Sequence, residues 1–143
     1  MRYLGIDLGS KTIGLAMSDQ TCTIASPFKT IFFDNEDYLS TIDEIKQITK
    51  EYEIQKIILG LPKNMNNTLG ERAQITMQYK KMLEDNLKIP VILFDERLTS
   101  VISNSILIEA DMSRKKRKKK VDSIAAQIIL QDYLNKEKNN NYE

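Results

Sequence analysis

Carboxylates stand at three points of this chain where a core element would otherwise be apolar. Asp7 lies inside Tyr3-Leu-Gly-Ile-Asp-Leu-Gly9, Asp95 and Glu96 close Ile89-Pro-Val-Ile-Leu-Phe-Asp-Glu, and Asp122 opens Val121-Asp-Ser-Ile-Ala-Ala-Gln-Ile-Ile-Leu130. A buried, ionised carboxylate costs on the order of several kcal/mol unless it is paired, protonated or bound to metal. Three such acids at the ends of core elements read as one site. The chain has no histidine and a single cysteine, Cys22. Ser-His-Asp and Cys-His catalysis, and zinc sites built on those ligands, are therefore excluded. Oxygen ligands alone favour Mg²⁺ or Mn²⁺. Two such ions about 3.5–4 Å apart can clamp the attacking and leaving oxygens of a phosphodiester displacement.

Charge points to a polyanionic partner. Seven of the 21 basic residues form one run, Arg114, Lys115, Lys116, Arg117, Lys118, Lys119 and Lys120, so the remaining 14 are outnumbered by the 20 acidic residues. A run of like charge repels itself and is expected as a solvated segment that attracts a polyanion. Its place directly before Asp122 favours nucleic acid. Elsewhere the 143 residues have the composition of an ordinary globular protein and suffice for one domain with its own core. No apolar stretch approaches the ~18 residues of a spanning helix, and the N-terminus reads as a strand rather than a targeting peptide. A reducing, cytoplasmic setting is the expectation.

Periodicity supplies the elements that must position the acids. Residues 2–8 alternate as a strand, with Leu4 and Ile6 on one face and Gly5 and Asp7 on the other. Gly5 and Gly9, flanking Asp7, leave room for phosphate or metal near the backbone. A hairpin leads to a second strand through Ile13, Leu15 and Met17, and residues 25–34 form a third, placed at the edge by Pro27. A helix over 35–53 presents Leu39, Ile42, Ile45, Ile48 and Tyr52. The uniformly apolar run from Lys56 reads as a parallel strand covered on both faces. A polar loop over 62–70 precedes a helix to about Leu87 with Ile75, Tyr79, Met82 and Leu83. A fifth strand over 89–95, a helix from Thr99 to about Glu109 and a last helix from Val121 to about Leu134 complete a domain at 1–135. Residues 136–143 are expected to be a disordered tail. The order implies a five-stranded mixed sheet, antiparallel over its first three strands, with helices on both faces and strands four and five beside strand one. Asp95 and Glu96, being adjacent on a strand, point to opposite faces, so one of them can share a site with Asp7. Asp122 at a helix start has an alternative explanation in the helix dipole.

Four segments in order, Gly5-Ile-Asp-Leu-Gly-Ser-Lys-Thr-Ile-Gly-Leu-Ala, Gly60-Leu-Pro-Lys-Asn-Met, Asp95-Glu-Arg-Leu-Thr-Ser and Val121-Asp-Ser-Ile-Ala-Ala, resemble the signatures of the YqgF/RuvX family over residues 2–134. The resemblance implies an RNase H-like fold and a nuclease assigned to 5′-end maturation of precursor 16S ribosomal RNA. Holliday-junction resolution is the older alternative, and a non-catalytic nucleic-acid-binding module is a third reading. It also implies Asp7, Glu96 and Asp122 as catalytic residues and metal ligands, with Asp95 beside them. Lys11, Arg72, Arg97 and the run Arg114–Lys120 are the candidate nucleic-acid contacts, and ribosomal precursor particles the candidate setting. The chain departs from the family at Asn66-Asn67, where many members carry Asp-Gly, and at Glu71, where many carry Pro. Asp7-Leu-Gly-Ser-Lys-Thr also resembles the first phosphate loop of sugar kinases, but five glycines and no second such loop argue against that class. No heptad seam or leftover apolar strip declares a dimer surface, so a monomer is expected.

Overall fold

A computed structural model describes residues 2–9, 11–34, 37–61, 70–95 and 114–141, by backbone alone at 95, 114–122 and 138–141. Its strands are β1 (Arg2–Leu8), β2 (Thr12–Ser18), β3 (Ala25–Phe32), β4 (Ile54–Leu61) and β5 (Val91–Asp95). They form one sheet in the order β3-β2-β1-β4-β5. The first three strands pair antiparallel, whereas β1–β4 and β4–β5 pair parallel. This is the mixed sheet expected from the sequence, with β4 between β1 and β5. Pro27 lies on the edge strand as anticipated. There the register steps from Leu15 opposite Lys29 to Ala16 opposite Pro27, so Phe28 bulges out of the ladder.

Alternation along the strands divides the core in two. Leu4, Ile6, Leu8, Ile13, Leu15, Ile57 and Leu59 face α1 (Tyr38–Glu51) and α2 (Glu71–Leu87), meeting Ile42, Ile45, Tyr79 and Leu83. Tyr3, Ala16, Ala25 and Ile58 face a third helix, α3 (Arg114–Asn141), meeting Ala126, Ile129, Leu130 and Leu134. Helices thus cover both faces.

Three expectations are revised. Leu39, assigned to the core stripe of α1, is 66% exposed. The buried stripe is Thr41, Ile42, Ile45, Ile48 and Thr49. Thr41 is tolerated there because its hydroxyl bonds the Tyr38 carbonyl at 2.6 Å and the Tyr79 hydroxyl at 2.7 Å. The basic run is not a separate segment in backbone terms but the first turns of α3. Cations at a helix N-terminus oppose its dipole, so the packing of the downstream turns must carry this one. The same helix continues to Asn141, beyond the point where order was expected to end. Of the expected loop at 62–70 only Gly70 is described, and the expected helix at 99–109 lies outside the described residues. Among the described residues no helix is long and apolar enough to cross a membrane.

The tightest approach of α3 to the sheet is at Gly5. A Cβ built there would lie 2.9 Å from the Ala126 carbonyl oxygen and 2.9 Å from the Leu130 Cβ. The carbonyl is backbone and cannot swing aside. Gly5→Ala should therefore lower stability by about 1–3 kcal/mol, the cost of overpacking. It should appear as a lower urea midpoint at unchanged slope; an unchanged midpoint would mean that α3 is not seated as described.

Candidate active site

Asp7 is the penultimate residue of β1, half-buried on the sheet face that carries α3. Its antiparallel partner is Gly14, so no side chain stands across from it on β2. The carboxyl ends of β1, β4 and β5 lie along one edge of the sheet, where Leu61 pairs with Asp95. Open α/β sheets commonly place ligands at such an edge.

Contacts along α3 show how that helix is laid on β1. Tyr3 touches Tyr133, with ring centroids 6.2 Å apart, and its hydroxyl donates to Glu137 Oε1 at 3.1 Å. Two residues further, Gly5 meets Ala126 and Leu130. The strand therefore ascends as the helix descends. The next step along β1 is Asp7, and the next turn of α3 holds Asp122 and the buried Ser123. The backbone course thus brings the Asp122 turn toward the strand end that carries Asp7.

The other expected site residues are placed unequally. Asp95 is the last residue of β5. Glu96 and Arg97 lie outside the described residues, and Arg114–Lys120 are described only as helical backbone. Among the described residues no three acidic, cysteine or histidine side chains converge as a metal site. Lys11 is exposed in the β1–β2 turn, and its carbonyl accepts the Phe33 N–H at 3.0 Å. Arg72, expected to reach a nucleic-acid backbone, donates through Nη2 to the Leu8 carbonyl at 3.1 Å. It thereby ties the start of α2 to the residue after Asp7. The space attributed to the two glycines is corrected: the Ala126 carbonyl and Leu130 occupy the position beside Gly5, and the Thr12 carbonyl lies 2.8 Å from a Cβ at Gly9. These glycines permit close packing and a tight turn, whose Gly9 N–H donates to Thr12 O at 2.8 Å.

Two sets of contacts that seat α3 escape the sequence reading. Gln131 Oε1 accepts the Ala25 N–H at 2.8 Å, its Nε2 donates to the Thr23 carbonyl at 2.9 Å, and Gln127 Nε2 donates to the Ala25 carbonyl at 3.1 Å. These pin the helix to the start of β3. Across the sheet, Lys56 of β4 donates to the Tyr133 hydroxyl at 3.0 Å and to Glu137 Oε2 at 3.1 Å. The Tyr133 hydroxyl also donates to Glu137 Oε2, at 3.0 Å. The ammonium lies 4.9 Å from the centre of the Tyr3 ring and 5.4 Å from that of Tyr133, within cation–π range. The one available signal was Tyr133 and Glu137 at i,i+4, one helix face apart.

Comparison with known proteins follows the same lines. A family model described as "RuvX: Holliday junction resolvase" matches residues 1–136. A protein of Oceanobacillus iheyensis named "Putative pre-16S rRNA nuclease" is 50% identical over 134 residues, covering 94% of this chain and 98% of that one. A Clostridium acetobutylicum protein of the same name is 47% identical over 135 residues, 94% of this chain and 98% of that one. Among solved structures, Thermus thermophilus RuvC in complex with a Holliday junction substrate superposes with a TM-score of 0.58 at 10% identity, over 90% and 91% of the two chains. The fowlpox virus Holliday junction resolvase gives 0.57 at 18% identity, over 95% and 99%. The fold is therefore RNase H-like, as the resemblance implied.

The latch under the far end of α3 has a definite pH signature. Burial raises the Glu137 pKa, but hydrogen bonds from Lys56, Tyr133 and Tyr3 outweigh it and hold the carboxyl below its ordinary 4.5. A depressed carboxyl contributes stability above its unfolded pKa and loses it as pH falls through the folded one. Burial lowers Lys56, yet its hydrogen bonds to Tyr133 and Glu137 outweigh that and keep it protonated above the usual lysine range. The difference in melting temperature between wild type and Glu137→Gln should therefore be constant from about pH 6 to 9 and close below about pH 4. A gap that persists in acid would remove the charged latch.

Proposed function

Since the chain belongs to the RuvX family, we propose that it is a metal-dependent endonuclease whose site is Asp7, Glu96 and Asp122 and whose substrate is precursor 16S ribosomal RNA. The observation that carries this reading is the antiparallel lay of α3 on β1, which runs the Asp122 turn toward Asp7. Strand parity supports Glu96 over Asp95. Ile92 and Phe94 belong to the α3-side core and Leu93 packs on the opposite one, so the even-numbered series shares the face of Asp7. An oxygen-only donor set suits Mg²⁺ or Mn²⁺. Held by these three carboxylates, such ions would supply charge stabilisation at the phosphate and a water acidic enough to attack it.

The residues of this chain supply the remainder. Asp7, on a strand with neighbours on both sides, is held rigidly. Arg72 fixes the end of β1 and places a positive charge beside it. Arg114–Lys120, on the same helix as Asp122, bind the phosphate backbone next to the acids, and Lys11 lies in the turn at the carboxyl end of β1. The pre-16S reading is supported by the names of relatives near 50% identity. One site on a monomer suffices for cutting an RNA strand. Paired nicking of a four-way junction needs two sites related by symmetry.

Asp7→Asn should cut the cleavage rate by at least about 10²–10³-fold, the scale of losing one group that stabilises developing charge, while leaving the fold intact. Millimolar Mn²⁺ should raise the melting temperature of wild type more than that of Asp7→Asn. The decisive assay sets one preparation, with this control, on RNA spanning the 5′ end of 16S and on a synthetic junction. Robust paired nicking of the junction with inert RNA would reverse the substrate choice. Unfolding of Asp7→Asn would make Asp7 structural.

Replacing Lys115, Lys116, Lys118, Lys119 and Lys120 by serine should weaken RNA binding about equally across sequences. If the run neutralises about three to five phosphates, the log–log salt slope should shrink by about 2–4 units. An unchanged slope in a binding titration would return the run to a solvated helix end.

A further inference from the structure

We propose that Tyr3, Lys56, Tyr133 and Glu137 form a positioning latch that sets where α3 presents Asp122; this rests on the assignment of Asp122 to the metal site. None of the four lies at the proposed site. Tyr3 is on β1, Lys56 on β4, and Tyr133 and Glu137 are on the last turns of α3. Their geometry is that of a closed network: one ammonium, one carboxylate and two phenols, each bonded to at least one other over 3.0–3.1 Å.

The helix is supported at three places, and each constrains a different freedom. At Gly5 the contact is with a backbone carbonyl and a Cβ, which fixes how near the helix comes but not its tilt. Gln127 and Gln131 hold the flank over β3. A rod held along one flank can still roll and swing about that line. The latch, on the opposite flank over β1 and β4, stops that movement.

Distances along the helix decide whether this matters to the site. The Gly5 contact is centred near residue 128, so Glu137 lies about 13 Å to one side and Asp122 about 9 Å to the other, at about 1.5 Å per residue. A swing that moves the latch end by about 1 Å moves the Asp122 end by about 0.7 Å in the opposite sense. Metal ligands tolerate only about 0.2 Å in distance, so loss of the latch should be felt as lost metal affinity. Phosphate-backbone binding through flexible lysines has no such tolerance limit, so RNA affinity should be spared.

The test uses the full chain, wild type, Asp7→Asn, Lys56→Met, Lys56→Arg and Tyr133→Phe, with Mn²⁺ as probe. Three quantities are read: the Mn²⁺ dissociation constant by calorimetry, the Mn²⁺ concentration at half-maximal RNA cleavage, and the apparent KM for RNA at saturating Mn²⁺. Lys56→Met should weaken Mn²⁺ binding and raise the half-activation concentration about tenfold, the lower end of what supporting residues contribute to metal sites, with KM unchanged. Lys56→Arg, which keeps a cation over both rings, should recover most of the loss. Tyr133→Phe removes only the shared hydroxyl and carries the test if Lys56→Met does not fold. A lower melting temperature with unchanged Mn²⁺ affinity would overturn the proposal and leave the cluster a stabilising contact. Loss of Mn²⁺-dependent cleavage in wild type, or its retention in Asp7→Asn, would instead fail the site assignment itself.

Discussion

The close contact between β1 and α3 at Gly5 governs the arrangement of this molecule. Hydrogen and one fewer carbon at that position let a helix backbone lie directly on the central strand. With any larger residue there, Ala126 and Leu130 would stand off and the Ala16–Ile58–Ile129 core would open. The small residue Ala126 of α3 is the matching half of the same contact and is fully buried. Burial of this interface is also what sustains the helix through its unfavourable cationic start.

From this contact the direction of α3 along β1 follows. The strand and the helix run in opposite senses. Tyr3 meets Tyr133 and Glu137, and Gly5 meets Ala126 and Leu130, so the contacts of β1 move toward the N-terminal turns of α3 as the strand approaches Asp7. The parallel strands β1, β4 and β5 end along one common edge. Arg72, reaching from α2 to the carbonyl of Leu8, ties that helix to the sheet just where β1 ends. Asp7 and Asp95 thus stand at the carboxyl ends of β1 and β5, at the margin of a well-buried core.

Much of this could be read from the residues, for identifiable reasons. Strands whose side chains alternate between two cores, as in β1, declare their faces, and Pro27 declared an edge. What the sequence concealed were features whose cause lies elsewhere in space. Leu39 has helical spacing with Ile42 but faces solvent, because Thr41 finds a hydroxyl partner on Tyr79, 38 residues away. Glu137 sits among Asn and Lys residues that look like a frayed end, and Tyr3 and Lys56, far earlier in the chain, help give it a fixed place. Gly5 was legible as special but misassigned, since a glycine that admits a ligand and one that admits a helix are identical in sequence. Asp7 and Asp122 were legible because a charge in an apolar run is conspicuous whatever its neighbours.

The bulge at Phe28 bears on how this protein behaves at high concentration. A sheet with an open outer strand is a template on which another chain can be added, and growth of that kind ends in fibres or precipitate. Here the outer row of β3 lacks one N–H at Pro27 and is bent out of register one residue later. An incoming strand would find the hydrogen-bonding row interrupted at its middle. The irregularity that looks like a defect in the ladder thus makes that edge a poor template for a second copy of the chain.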